Sequence, residues 1–246
     1  MAQIKANEAL VKALQTWNID HLYGIPGDSV DAVVDSLRTV RDQFKFYHVR
    51  HEEVASLAAA SYTKMTGKIG VALSIGGPGI VHLLNGMYDA KMDNVPQLII
   101  AGQTNSTLLG TKFFQETNIS KMVDDVAVYH HQIQKGDNVF EITNEAIRTA
   151  YEKKGVSVII CPNDLLTQKI KDTTNRAVDT TKPKPVSPKF KSIKKAAKLI
   201  DKAKKPVMLI GLGTQHAKDE LREFIEAAKI PVIDRKSTRL NSSHYP

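Results

Sequence analysis

Hydrophobic and polar residues change rhythm repeatedly along the first two thirds of the chain. Leu10, Val11, Leu14 and Trp17 fall at helical spacing, which predicts an amphipathic helix over residues 3–16. Segment 21–28 reads as a short strand and a tight turn, in which Pro26 fixes one dihedral and Gly27 frees another. Asp28 or Ser29 is placed to cap a helix over 30–37. Residues 44–49 alternate apolar and polar side chains with aromatic and β-branched members, the pattern of a strand, and the Ala-rich run 54–65 predicts a closely packed helix. Residues 70–75 and 95–101 are continuous apolar runs suited to buried parallel strands, with a helix over 80–90 between them and a polar loop over 102–107 after the second. A helix over 137–153 and a strand over 156–161, ended by Pro162, complete the series. Repeated strand-then-helix order predicts an α/β fold with a doubly wound, mostly parallel sheet in a first domain spanning residues 1–168.

Residues 169–188 are polar and basic with Pro183, Pro185 and Pro188, the composition of a partly extended linker. Beyond it, helices over 192–203 and 218–228 and strands over 206–213 and 230–233 open a second α/β domain, 189–233, that stops short of completion. Residues 234–246 break the strand pattern. Asp234 through His244 back-translate to what looks like a common sequencing-library adapter, so this tail is expected to be read-through and disordered.

Composition narrows the class. The chain has 246 residues, 42% of them hydrophobic, and no run approaching the roughly 20 apolar residues of a membrane span. Asn7, Glu8 and Lys12 interrupt any secretory leader at the start, so the expected location is the cytoplasm, with no membrane partner. The formal charge is +8, but residues 169–205 hold 13 Lys or Arg against 3 Asp, so the basicity belongs to the linker and one adjoining helix. No aromatic platform accompanies it, and a solvated face rather than a nucleic-acid site is expected. The single cysteine, Cys161, excludes an internal disulfide and reads as a buried small hydrophobe.

Two stretches carry candidate chemistry. Glu52 stands where a strand turns into a helix, at the carboxyl end of the strand, which is where open α/β sheets place ligands. An acid at a helix start also simply complements the macrodipole. Gly76-Gly77-Pro78-Gly79 lies between a strand and a helix start, where bare backbone can approach a ligand, although it has neither dinucleotide-binding nor P-loop spacing. Phe113 and Phe114 are expected to plug a core.

Taken in order, Tyr23-Gly24-Ile25-Pro26-Gly27, Arg50-His51-Glu52-Glu53, Gly77-Pro78-Gly79 with Asn85-Gly86, and Phe114-Gln115-Glu116 resemble the pyrimidine-binding domain of thiamine-diphosphate-dependent enzymes. The likeness reaches about residue 233 and is closest in look to pyruvate oxidases, with acetolactate synthases and other 2-oxo-acid decarboxylases behind. It implies that Glu52 hydrogen-bonds a ring nitrogen of the aminopyrimidine and favours its imino form, which takes a proton from the thiazolium carbon; Glu53 points elsewhere. It implies that Pro26 and Gly27 lie against the pyrimidine, supported by Gly77, Pro78, Gly79 and Asn85. His82, Phe114 and Gln115 match positions lining the reacting side, where they would orient a carboxylate substrate and admit phosphate. The oxidase likeness also implies FAD in the central domain, at whose start Gly211 and Gly213 stand.

The family's diphosphate and Mg²⁺ site, a Gly-Asp-Gly motif followed by Asn-Asn, does not occur in this sequence, and no metal ligand is assigned within it. The chain alone is therefore expected not to turn over. Since one subunit's pyrimidine domain faces another's diphosphate domain in this family, a homodimer or homotetramer is implied. The leading function is that of an N-terminal part of a pyruvate oxidase, taking pyruvate, phosphate and oxygen to acetyl phosphate, carbon dioxide and hydrogen peroxide. Carboligation to acetolactate is the alternative, and a non-catalytic binding or assembly domain the reading from another class.

Overall fold

The computed structural model describes residues 2–183, 186–214 and 217–234. They divide into two compact units, residues 1–183 and 184–246. The first begins with β1 (Gln3–Lys5), α1 (Ala6–Thr16), β2 (His21–Gly24), α2 (Asp31–Thr39), β3 (Lys45–His48), α3 (Glu52–Thr66), β4 (Gly70–Ser74) and α4 (Pro78–Met92). It continues with β5 (Gln97–Gln103), α5 (Ile119–Val123), β6 (Ala127–Gln132), α6 (Val139–Lys153), β7 (Val156–Pro162), α7 (Asn163–Leu166) and β8 (Lys169–Lys171). Six strands form one sheet in the order β3-β2-β4-β5-β7-β6, every neighbouring pair parallel.

The central strands are largely apolar because both faces are covered, with Ser74, Gln97, Gln103 and Ser157 as buried polar exceptions. Val71, Leu73, Leu98, Ile100, Ile159 and Cys161 face a core built with Leu10 and Leu14 of α1 and Phe140 and Ile147 of α6. Their neighbours Ala72, Ile99, Ala101, Val158 and Ile160 face the opposite way, onto Ala55 and Ala59 of α3 and Ile80, Leu83 and Met87 of α4. Alternation along each strand thus feeds two cores rather than one core and solvent. Small residues on α3 let α4 lie close: a Cβ built on Gly86 would stand 2.5 Å from the Leu57 nitrogen.

Several expectations shift. The first helix starts at Ala6, because residues 3–5 pair antiparallel with 169–171. The stretch read as linker accordingly begins as a strand, and residues up to 183 stay with the first unit. Ser29 caps no helix; its hydroxyl instead accepts from the Gly76 N–H at 3.1 Å. Phe113 and Phe114 are not core plugs, since both are exposed, Phe114 to 77%. Cys161 is fully buried, and burial pushes its thiol up to about 12.

The second unit comprises α8 (Phe190–Lys202), β9 (Met208–Ile210), α9 (Lys218–Ala228) and β10 (Val232–Asp234), with β9 and β10 parallel. Backbone pairing of Asp234 with Ile210 carries the strand one residue into the stretch read as tail. The remainder of that stretch, 235–246, lies outside the described residues. Among the described residues no helix is long and apolar enough to cross a membrane.

Candidate functional site

The parallel strands deliver their carboxyl ends to one edge, and three turns meet there. Pro26-Gly27 follows β2, Gly76-Gly77 follows β4, and the loop carrying Gln115 follows β5. Ser29 ties the first turn to the second through the Gly76 N–H. Gln103, the last residue of β5, donates to the Thr117 carbonyl at 2.8 Å and draws the third turn inward. Gly77 has φ +60°, and a Cβ there would sit 3.0 Å from the Gln115 Cα and 2.9 Å from its carbonyl oxygen. Glycine is thus required both by the backbone angle and by the approach of Gln115, itself at φ +60°. Glu116 braces this loop by accepting from the Gly110 and Phe113 N–H groups at 2.5 and 3.1 Å. The Gly110 bond, with others from the same backbone, outweighs the opposing effect of burial and holds the Glu116 carboxyl below its ordinary value.

α3 begins at Glu52, with His51 as the residue before it accepting the Glu53 N–H at 3.3 Å on Nδ1. Close packing of α3 on α4, permitted by Gly86, brings two pairs together. Glu52 Oε2 accepts from His82 Nδ1 at 2.9 Å, and Glu53 Oε1 accepts from Asn85 Nδ2 at 2.6 Å. The Glu52 side chain is 13% exposed while that of His82 is 42% exposed. Burial raises the Glu52 carboxyl, but the His82 hydrogen bond, a backbone hydrogen bond and the charges of His82 and His51 outweigh it. The group rests below its ordinary value. His51 and His82 stack, their ring centroids 4.4 Å apart.

The structure therefore brings together Glu52, His82 and His51 on one side, and Gly77 with Gln115 on another. Glu53 reaches the same helix as Glu52, and its Oε2 lies 3.8 Å from His51 Nδ1. Asn85 is engaged with Glu53, one turn beyond His82. Pro26 and Pro78 are exposed at the turns, and Phe114 reaches into solvent. Gly79 is buried against Ser74 and Ile75. In the second unit, Gly211 follows β9, and a Cβ on Gly213 would meet open space.

Sequence reasoning missed His51. Together with Glu52 and His82 it offers three donor atoms within 4.8 Å of one another, a set with the chemistry of a divalent-metal site. The available signal was its place directly before an acid at a helix start. An aminopyrimidine also suits this corner, because a ring nitrogen that carries a proton calls for an ionised, largely buried carboxylate acceptor.

Two family models match. Residues 4–122 match the N-terminal TPP binding domain of thiamine pyrophosphate enzymes, and residues 193–238 match the central domain of the same enzymes. The protein YdaP of Bacillus subtilis (strain 168) is 46% identical over 233 residues, covering 95% of this chain and 41% of its own. The pyruvate oxidase of Lactiplantibacillus plantarum is 38% identical over 246 residues, 99% of this chain and 41% of its own. An acetolactate synthase of Mycobacterium leprae is 32% identical over 241 residues, 96% of this chain and 38% of its own. The chain spans about two fifths of the length of these curated relatives. Its two matched regions, in family order along one chain, and its six-stranded parallel sheet make it a member of the thiamine pyrophosphate enzyme family.

Proposed function

We propose that this chain is the pyrimidine-binding part of a pyruvate oxidase-type enzyme that uses thiamine diphosphate and FAD and yields acetyl phosphate and hydrogen peroxide. The observation that carries the reading is Glu52: a carboxylate at the sheet's carboxyl edge, shielded from solvent and held ionised at neutral pH. When bound, thiamine diphosphate supplies a nucleophilic carbon and an electron sink for loss of carbon dioxide from a 2-oxo acid. The Glu52 carboxylate accepts a hydrogen bond from the pyrimidine ring nitrogen and holds the proton there. His82, donating Nδ1–H to Glu52, keeps the carboxylate oriented, and Gln115 and Phe114 meet the substrate. Pro26, Gly27, Gly77, Pro78 and Gly79 give the pyrimidine its walls, and Asn85 supports the site from α4.

Mg²⁺ and the diphosphate would be held by protein outside this sequence, and FAD by a completed central domain. In the whole enzyme two or four copies assemble, with pyruvate and phosphate as substrates. Similarity to acetolactate synthase at 32% identity favours carboligation as the second reading. Incubating a completed enzyme with pyruvate, phosphate and oxygen separates the two. Peroxide and acetyl phosphate are expected; acetolactate without peroxide would assign the carboligase.

A further inference from the structure

The amino ends of the strands, opposite Glu52, carry a cavity that opens to solvent. A cavity of about 150 Å³ lies among Trp17, His21, Tyr62 and Tyr151, with Lys68 and Lys182 on its wall. It is walled by rings at the distances of mutual contact. Trp17 stacks on Tyr151 with centroids 5.9 Å apart, and His21 meets Tyr62 edge-on at 4.5 Å. Trp17 Nε1 is fixed by donating to Asn144 Oδ1 at 2.8 Å, so the indole is a rigid wall. A cavity of this size takes a benzene-sized ring, and aromatic walls favour another ring stacked or edge-on.

The charges select the ring's substituent. Lys182 Nζ lies 5.1 Å from the Tyr151 centroid and donates to the Gly67 carbonyl at 2.7 Å. The Lys68 backbone N–H donates to Thr66 Oγ1 at 3.1 Å, while its ammonium makes no hydrogen bond or ion pair among the described residues. Asp20 is the acid on this wall, and its Oδ1 is taken by His21 Nδ1 at 2.6 Å. Two ammonium groups thus border the cavity with one acid already paired. Burial and the neighbouring Lys68 charge depress Lys182, a repulsion that an anion between the two would relieve.

We propose that this cavity binds a single-ring aromatic carboxylate, with its ring among Trp17, Tyr62 and Tyr151 and its carboxylate between the ammonium groups of Lys68 and Lys182. Both halves follow from general chemistry: ring contacts fill the apolar volume, and charge-assisted hydrogen bonds hold the anion. The site is independent of the thiamine reading, since it shares no residue with the Glu52 edge.

Trp17 is the one tryptophan of the chain, so its emission reports on this cavity. The full chain is titrated with benzoate and, separately, with benzyl alcohol, its uncharged counterpart, and the benzoate titration is repeated by calorimetry. Benzoate is expected to change Trp17 emission saturably, and benzyl alcohol to bind at least about tenfold more weakly. Lys68→Ala and Lys182→Ala, both at exposed side chains, should each weaken benzoate by about tenfold or more, the range for a hydrogen bond to a charged group. The proposal is overturned by an emission change that stays linear in benzoate with no calorimetric heat, by equal affinity for benzyl alcohol, or by unchanged affinity in the two lysine variants.

Discussion

Replacing Gly86 by alanine sets two effects of opposite sign against each other. Helix propensity alone favours alanine by about 1 kcal/mol in a helix interior. The added Cβ would stand 2.5 Å from the Leu57 nitrogen and 2.6 Å from the Ser56 carbonyl carbon, where ordinary contact begins at 3.4 Å. The α3–α4 spacing must open by about 0.9 Å, and because those atoms are backbone, no rotamer change relieves them. Overpacking costs about 1–3 kcal/mol, and contact with a rigid backbone puts this case at the upper end. The net loss is about 2 kcal/mol, which lowers Tm by about 4–8 °C for a unit of this size. Differential scanning calorimetry of the chain and Gly86→Ala reads it directly. His82 also leaves Glu52 as the helices part, which the ring resonances of His82 report by NMR. An unchanged or raised Tm would refute the reasoning, because propensity would then have outweighed the contact.

Glu52→Gln in a completed enzyme should lower turnover by about 10²- to 10⁴-fold, the usual contribution of a positioned proton-transfer group, as read by peroxide release; near-normal turnover would remove Glu52 from the mechanism. The Glu52 carboxyl is held below the ordinary value of 4.5, so its contribution to stability is complete above that pH and is lost as pH falls through the folded value. Thermal melts from pH 6 downward should therefore show a smaller stability difference between the chain and Glu52→Gln at the acid end. Cys161, with its buried thiol pushed up to about 12, should resist a thiol reagent at pH 8 in the native chain and react at once in denaturant. Gly77→Ala places a side chain at φ +60° against Gln115 and should cost about 1–3 kcal/mol in urea unfolding.

The sequence made most of the first unit legible because its central strands are apolar on both faces and its glycines punctuate the turns. The runs at 70–75 and 95–101 could hardly be anything but buried strands once the helices between them were seen. β6 went unread for the opposite reason. Its residues, Ala127-Val128-Tyr129-His130-His131-Gln132, are all half-buried at the sheet's edge, so no face carries a clean apolar stripe. Aromatic character alone predicts burial for Phe113 and Phe114, whereas their loop is held by Glu116 and Gln103 and leaves the rings outside. In the site, Glu52 was visible as an acid at a strand-to-helix junction. Its partner was less so: the Glu52–His82 pair spans 30 residues and depends on the helix crossing at Gly86, which no local pattern encodes. Ser29 likewise looked like a cap, and only the meeting of two turns gives its hydroxyl to Gly76.

Gly77 and Gly86 also sort the positions around this edge by what selection can do with them. A side chain at either one collides with main-chain atoms, so a substitution there disturbs the architecture before it reaches any chemistry. Val81, His82 and Phe114 are exposed, and exchange at Val81 or Phe114 leaves the frame standing. Descendants of such a chain could drift toward new substrates through those outward positions while the two glycines stayed fixed, and a directed-evolution library would be best spent there.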